Sequence, residues 1–178
     1  KGEVVIDGED ILKLKQKAVD RFRAEKIGFI FQSFFVQGNE SVYDNVSLPL
    51  EIARVPQSKR KTRVGQALKA VELSDKIKSK AKNLSGGQKQ RLAIARAIAN
   101  EPSIIFADEP TGNLDSVTGA KVEELLFGYN KNKGVTLIIV THDAELAAKC
   151  DMIVNIKDGK IESVEQKKAQ PTARKVVQ

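Results

Sequence analysis

Two adjacent carboxylates, Asp108 and Glu109, end the apolar run Ile104 to Ala107 and directly precede Pro110. Such a pair can divide labour, one group holding a divalent cation through water and the other polarising a water as general base. The same pair can also cap the next segment or face solvent. A second group is Ser85-Gly86-Gly87-Gln88. Backbone N–H groups at a helix start, together with the Ser85 hydroxyl, can donate to phosphate oxygens, and glycines let that backbone approach closely. The ordinary alternative is a serine cap on a glycine-rich turn. His142 is the only histidine and follows the run Val135 to Val140, while Gln32 follows Ile27 to Phe31. Alone, a histidine is usually structural or exposed, and a glutamine after a strand carries little. Asp115 suits an N-cap for a helix from Ser116.

The elements that must position these groups are legible. Ile27 to Phe31, Ile104 to Ala107 and Val135 to Val140 are short continuous apolar runs, the pattern of strands buried on both faces of a parallel sheet. Ligands of open parallel sheets bind beyond the carboxyl ends of the strands, so Gln32, Asp108, Glu109, Thr141 and His142 are expected to converge on one crevice. Val122, Leu125, Leu126 and Tyr129 recur at helical spacing up to Gly134, making strand, helix, strand a right-handed crossover. Residues 33–100 contain no convincing strand. The stripes Val64, Ala67, Leu68, Val71 and Leu92, Ala95, Ile98, Ala99 predict an inserted helical lobe, in which Pro49 and Pro56 should break the helix that starts near Ser41. Glu3 to Asp7 with Gly8 reads as a short strand and turn. Met152 to Ile156 and Lys160 to Val164 flank the Asp158-Gly159 hairpin turn.

With 178 residues and 41% hydrophobic content, the chain can bury one core, or one core with a small lobe. No apolar stretch approaches the ~20 residues that cross a bilayer, and KGEVVIDGED lacks the basic start and apolar centre of a signal peptide. A cytoplasmic chain without direct membrane insertion is the expectation. The single Cys150 excludes an internal disulfide, and a metal cluster of Cys and His is excluded by count. The net charge of +7 concentrates at Ser58 to Arg63 and in the tail, which reads as a solvated face and a basic, disordered end over 163–178. No nucleic-acid partner is expected.

LSGGQKQRLAIARAIANEPSIIFADEPTGNLD, Leu84 to Asp115, followed by VTHD, Val140 to Asp143, resembles the signature, Walker B and switch regions of ABC transporter ATPases. The resemblance runs from Gly2 to about Ile161. The TGNLD ending and VYDNVSLPL, Val42 to Leu50, are similar to the subfamily of lipoprotein-releasing and macrolide- or peptide-exporting ATPases. The fold implied is α/β, a partial P-loop NTPase (RecA-like) parallel-sheet core with a helical subdomain inserted over 33–100 and an antiparallel edge hairpin, the truncated ATPase domain spanning 1–162.

The resemblance implies ATP and Mg²⁺ as ligands. Asp108 and Gln32 would contact the metal, Glu109 would be the general base, and His142 a γ-phosphate contact. Ser85, Gly86, Gly87 and Gln88 would close over the nucleotide of an opposite subunit, with Asp115 at the interface. The implied partners are a second ATPase subunit in a homodimer and a transmembrane permease, so the protein would be peripheral at the inner face of the cell membrane. Phe34, Phe35 and Tyr43 are candidates for permease docking or, equally, core aromatics of the lobe. The pattern GxxxxGK[ST] of the phosphate loop occurs nowhere in the sequence. The first strands and the adenine-stacking aromatic are missing with it, so the chain as given is expected to be inactive, weakly stable and prone to aggregate. Two other readings stay open: a non-catalytic module lending LSGGQ to an intact partner, and a soluble ABC-type protein acting on ribosomes or DNA.

Overall fold

The computed structural model describes residues 2–6 and 8–167. The chain divides into two units, residues 1–140 and 141–178.

The first unit is built on a three-stranded parallel sheet in the order β3 (Ile27–Ile30), β4 (Ile104–Asp108), β5 (Thr136–Val140). A hairpin of β1 (Val5–Ile6) and β2 (Glu9–Asp10) turns at Gly8, whose φ of 81° suits a glycine. After it, helix α1 (Gln16–Lys26) leads into β3. The sequence pattern does not announce α1. Its residues QKAVDRFRAEK are mostly charged and bury only Phe22, so its apolar stripe, Ala18, Val19 and Phe22, is short.

Register explains the sheet's two faces. Gly28 pairs with Ile105 and Ile30 with Ala107, and these in turn pair with Leu137 and Ile139. All six lie on the face that packs against the helices, and Ile30, Ile105 and Ala107 are buried. The alternate positions Phe29, Phe106 and Ile138 share the opposite face. Phe29 is 42% exposed, Ile138 40% and Val140 60%. The expectation of strands buried on both faces is therefore corrected. Among the described residues one face is well covered, and the other carries an aromatic stack in which Phe29 lies 6.0 Å from Phe31 and 5.6 Å from Phe106.

The lobe over 33–100 is helical, as its stripes predict. Helix α2 (Val42–Ile52) opens with a capping box in which Ser41 and Asp44 satisfy each other's backbone N–H groups. Helix α3 (Gln57–Ala70) buries Val64, Ala67 and Leu68, and helix α4 (Gly86–Ile98) buries Leu92, Ile94, Ala95 and Ile98. Pro56 stands at the N-cap of α3, as a helix-starting proline should. Pro49 does not break α2 but lies inside it. Its carbonyl accepts both from Ala53 N–H and from Asn100 Nδ2, each at 3.0 Å, and the buried Val42, Val46 and Leu50 hold the helix through it. Helix α5 (Ser116–Lys133) starts on the Asp115 cap, ends at Gly134 with φ 68°, and buries Val122 and Leu126.

The second unit contains α6 (Ala144–Ala147) and the antiparallel pair β6 (Met152–Lys157) and β7 (Lys160–Gln166). Asp158 and Gly159 both take positive φ, 48° and 72°, as the two-residue turn requires. Strand β7 runs to Gln166, so the tail expected from 163 begins later; four of its residues pair with β6 because Ile153 and Met152 continue the ladder opposite Glu165 and Gln166. The rest of that basic tail, 168–178, lies outside the described residues.

Gly28 is where helix and sheet approach most closely. A Cβ there would sit 2.6 Å from the Ala97 carbonyl oxygen, a backbone atom that cannot rotate away. Gly28→Ala is expected to destabilise the first unit by about 1–3 kcal/mol through this overpacking, read from the urea midpoint. An unchanged midpoint would show that α4 is free to retreat from β3.

Candidate functional site

In the first unit the residues singled out in the sequence form two clusters joined through α4. The first is the turn that follows β4. Asp108 ends the strand exposed, on the same face as Val140 with which it pairs. Glu109 is half-buried and takes a φ of 44°, in the left-handed region. The following proline disfavours the helical region for Glu109, and the turn resolves this by a conformation that costs a non-glycine residue about 1–3 kcal/mol. Backbone bonds over-determine it. Glu109 N–H donates to Val140 O at 2.9 Å, and Gly112 N–H donates to Glu109 O at 3.1 Å.

Gln32 belongs to the same cluster. A Cβ on Gly112 would lie 3.0 Å from Gln32 Nε2, so the glutamine side chain rests against this turn. Asn113 Nδ2 donates to Gln32 O at 3.0 Å. The loop beyond is pinned by the half-buried Arg96, which donates to Phe35 O at 2.6 Å and Phe34 O at 3.1 Å. Burial pushes the Arg96 guanidinium below its usual value. Asn113 and Arg96 escape the sequence reading because each acts on a carbonyl more than sixty positions away. Of the aromatic candidates, Tyr43 packs against the core and Phe35 is exposed, its ring edge-on to Phe31 at 5.4 Å.

The second cluster gathers Ser85, Gly86, Gly87 and Gln88 with Asp115 around a depression of about 400 Å³, also lined by Asn113, Thr118 and Lys121. Ser85 caps α4 in a reciprocal box: its hydroxyl accepts from Gln88 N–H at 3.3 Å, and Gln88 Oε1 accepts from Ser85 N–H at 2.9 Å. The exposed Gly86 and Ser85 leave the start of a thirteen-residue helix open to an anion. Asp115 caps α5, accepting from Thr118 N–H at 3.0 Å and from the Thr118 hydroxyl at 2.7 Å. The cap expectation for Asp115 is met. Larger hollows lie elsewhere, one of about 560 Å³ between α3, α4 and α5, and one of about 670 Å³ beside α1. Neither holds a residue with the chemistry singled out above.

His142 belongs to the second unit, where Asp143 N–H donates to the Thr141 hydroxyl at 3.0 Å. The Asp143 carboxylate then caps α6 through Glu145 and Leu146 N–H. His142 itself is exposed.

The donor chemistry suits Mg²⁺ bound to nucleotide. Asp108 and Gln32 offer hard oxygen ligands, and no cluster of three His, Cys, Asp or Glu among the described residues offers a closed cage. A cation that keeps its waters and leans on phosphates needs only such a partial set.

A parallel sheet with a strand-end carboxylate pair, an inserted helical lobe and an anion-ready serine-capped helix is the architecture of an ATP-binding cassette. The ABC transporter family matches residues 1–112. An uncharacterised ABC transporter ATP-binding protein of Thermotoga maritima is 44% identical over 167 residues, covering 94% of this chain and 71% of that protein. The lipoprotein-releasing system ATP-binding protein LolD of Syntrophotalea carbinolica is 44% identical over 160 residues, 90% of this chain and 70% of that one. Among solved structures, the dimeric ATP-binding cassette MJ0796 in a post-hydrolysis state with ADP and Pi is 40% identical, with a TM-score of 0.82 over 96% of this chain and 75% of that chain. The chain belongs to the ABC transporter family as an ATP-binding subunit, and it spans about seven-tenths of the length of these relatives. The family is one of nucleotide-binding proteins.

Two outcomes test the second cluster. A Cβ on Gly87 would press well inside contact with Thr118 Cγ2, and Thr118 is not free to turn because its hydroxyl is bonded to Asp115. Gly87→Ala should lower the thermal midpoint, and adding Thr118→Ser, which removes Cγ2 but keeps the hydroxyl, should restore most of it. Additive losses would refute the contact.

Bonds from Thr118 also hold the Asp115 carboxyl below its usual range. Because the folded value is depressed, the cap's ionic contribution is complete above the unfolded value of about 4 and is lost as pH falls through the folded one. The stability difference between the chain and Asp115→Ala should be flat from pH 7 to 5 and shrink below about pH 4. A difference that stayed constant through the acid range would remove the carboxylate from the cap.

Proposed function

We propose that the protein is the ATP-hydrolysing subunit of an exporter or extruder, acting as a homodimer against a transmembrane permease at the inner face of the membrane. The cargo in this reading is a lipoprotein, a peptide or a macrolide, the first in keeping with the lipoprotein-releasing relative. No helix among the described residues is long and apolar enough to cross a membrane, which suits a subunit that reaches the bilayer through its partner.

The observation that carries the reading is the turn at Glu109. A half-buried carboxylate follows an exposed one, on a backbone fixed in a strained conformation at the end of a parallel strand. In this reading Asp108 and Gln32 hold Mg²⁺, which when bound neutralises phosphate charge. Glu109 accepts a proton from the water that attacks in line. His142 contacts the γ-phosphate, a role that rests on the likeness of the VTHD sequence. Ser85 and the N–H groups of Gly86, Gly87 and Gln88 face the nucleotide of the opposite subunit, and Asp115 lies where the subunits meet.

Equilibrium titration with Mg-ATP tests this reading, comparing the 178-residue chain with one extended upstream through a phosphate loop. Binding only by the extended chain is the expected result, and equally tight binding by the shorter one would assign the phosphate grip to another backbone nest. In the extended chain Glu109→Gln should bind ATP and lose about 10²-fold or more in turnover. Unchanged turnover would remove Glu109 from the chemistry.

A further inference from the structure

Gln90 is 1% exposed, on the face of α4 that otherwise carries Ile94, Ala97 and Ile98 into the core. Its Nε2 donates to Pro110 O at 2.6 Å, a short bond across twenty positions of sequence. That acceptor fixes the orientation of the amide, since only the NH₂ end can face a carbonyl. The Oε1 end is then buried with no hydrogen-bond partner among the described residues. Leaving an amide oxygen in that condition costs stability, and a methionine of equal length would fill the space without the cost. The glutamine is poorly suited to a purely structural role, and the one thing it supplies is the grip on Pro110 O.

Pro110 has no N–H, so its carbonyl is its one backbone handle. The residue before it is Glu109, held at φ 44° by bonds from its own N–H to Val140 and from Gly112 N–H to its carbonyl. Neither bond fixes the peptide that links Pro110 to Thr111. Gln90 does. From this geometry we infer that Gln90 is a positioning residue for hydrolysis, clamping the Pro110 carbonyl so that the strained turn cannot relax and carry the Glu109 carboxylate away from the attacking water.

The inference rests on the reading of Glu109 as general base.

The test uses the dimer of the chain extended upstream through its phosphate loop, with turnover, ATP affinity and thermal midpoint measured for Gln90→Met, Glu109→Gln and the double variant. Gln90→Met should lower kcat about ten- to a hundredfold with KM for ATP unchanged and the thermal midpoint unchanged or higher. In the Glu109→Gln background the same substitution should alter residual turnover by less than about twofold, because a residue acting through Glu109 has nothing left to position. If Gln90→Met keeps full kcat while Glu109→Gln is inactive, the positioning role is overturned and the reading of Glu109 stands. A kcat loss that only tracks a falling midpoint also overturns it, and Gln90→Leu gives the same comparison should the methionine variant fail to fold. Full turnover by Glu109→Gln would overturn both readings together.

Discussion

The contact between α4 and the sheet governs the first unit. Gly28 lets the helix backbone come within contact distance of β3, and Ile30, Ile105 and Ala107 then find Leu92, Ala97 and Ile98 opposite them in one core. The same helix carries the capped start at Ser85, the clamp at Gln90 and the loop-pinning Arg96. Three side chains that reach the candidate site or its loop are thereby fixed relative to the strand ends by a single packing event. A loosely packed α4 would leave all three in place on the helix and misplace them against the sheet.

Much of this was legible in the residues because each signal is local. Continuous apolar runs gave β3, β4 and β5, the Asp-Gly dipeptide gave the β6–β7 turn, and helical stripes gave α3, α4 and α5. The motif order from LSGGQ to THD identified the family. What escaped depends on distance. Helix α1 buries one residue and offers only a short stripe, Ala18, Val19 and Phe22, among charged neighbours. Pro49 stays helical because apolar burial on either side outweighs one missing hydrogen bond. The alternation of the sheet's two faces is a property of its neighbours, not of the strands, whose sequences are apolar on both sides.

The candidate site shows the same division. Asp108, Glu109, Ser85 and Asp115 declare themselves through residue type and position at an element's end. Gln90 declares nothing: in sequence it is one polar residue in a polar stretch, QKQR, that the solvated side of a helix would explain equally well. Only the fold reveals that it faces inward and meets a carbonyl. Asn113 and Arg96 share that character, since side-chain bonds to distant backbone leave no pattern for spacing to detect.

Strands β3 and β4 are neighbours in space, yet the whole helical lobe lies between them in the chain. Pairing them from an unfolded chain means closing a long loop before any sheet contact repays the entropy. The lobe shortens that search. Its helices make contacts close in sequence, and once α2, α3 and α4 have packed, the end of α4 delivers β4 to β3 at the Gly28 notch. By sequence separation the lobe is expected to form before the sheet, with the turn after β4 among the last parts to acquire its shape.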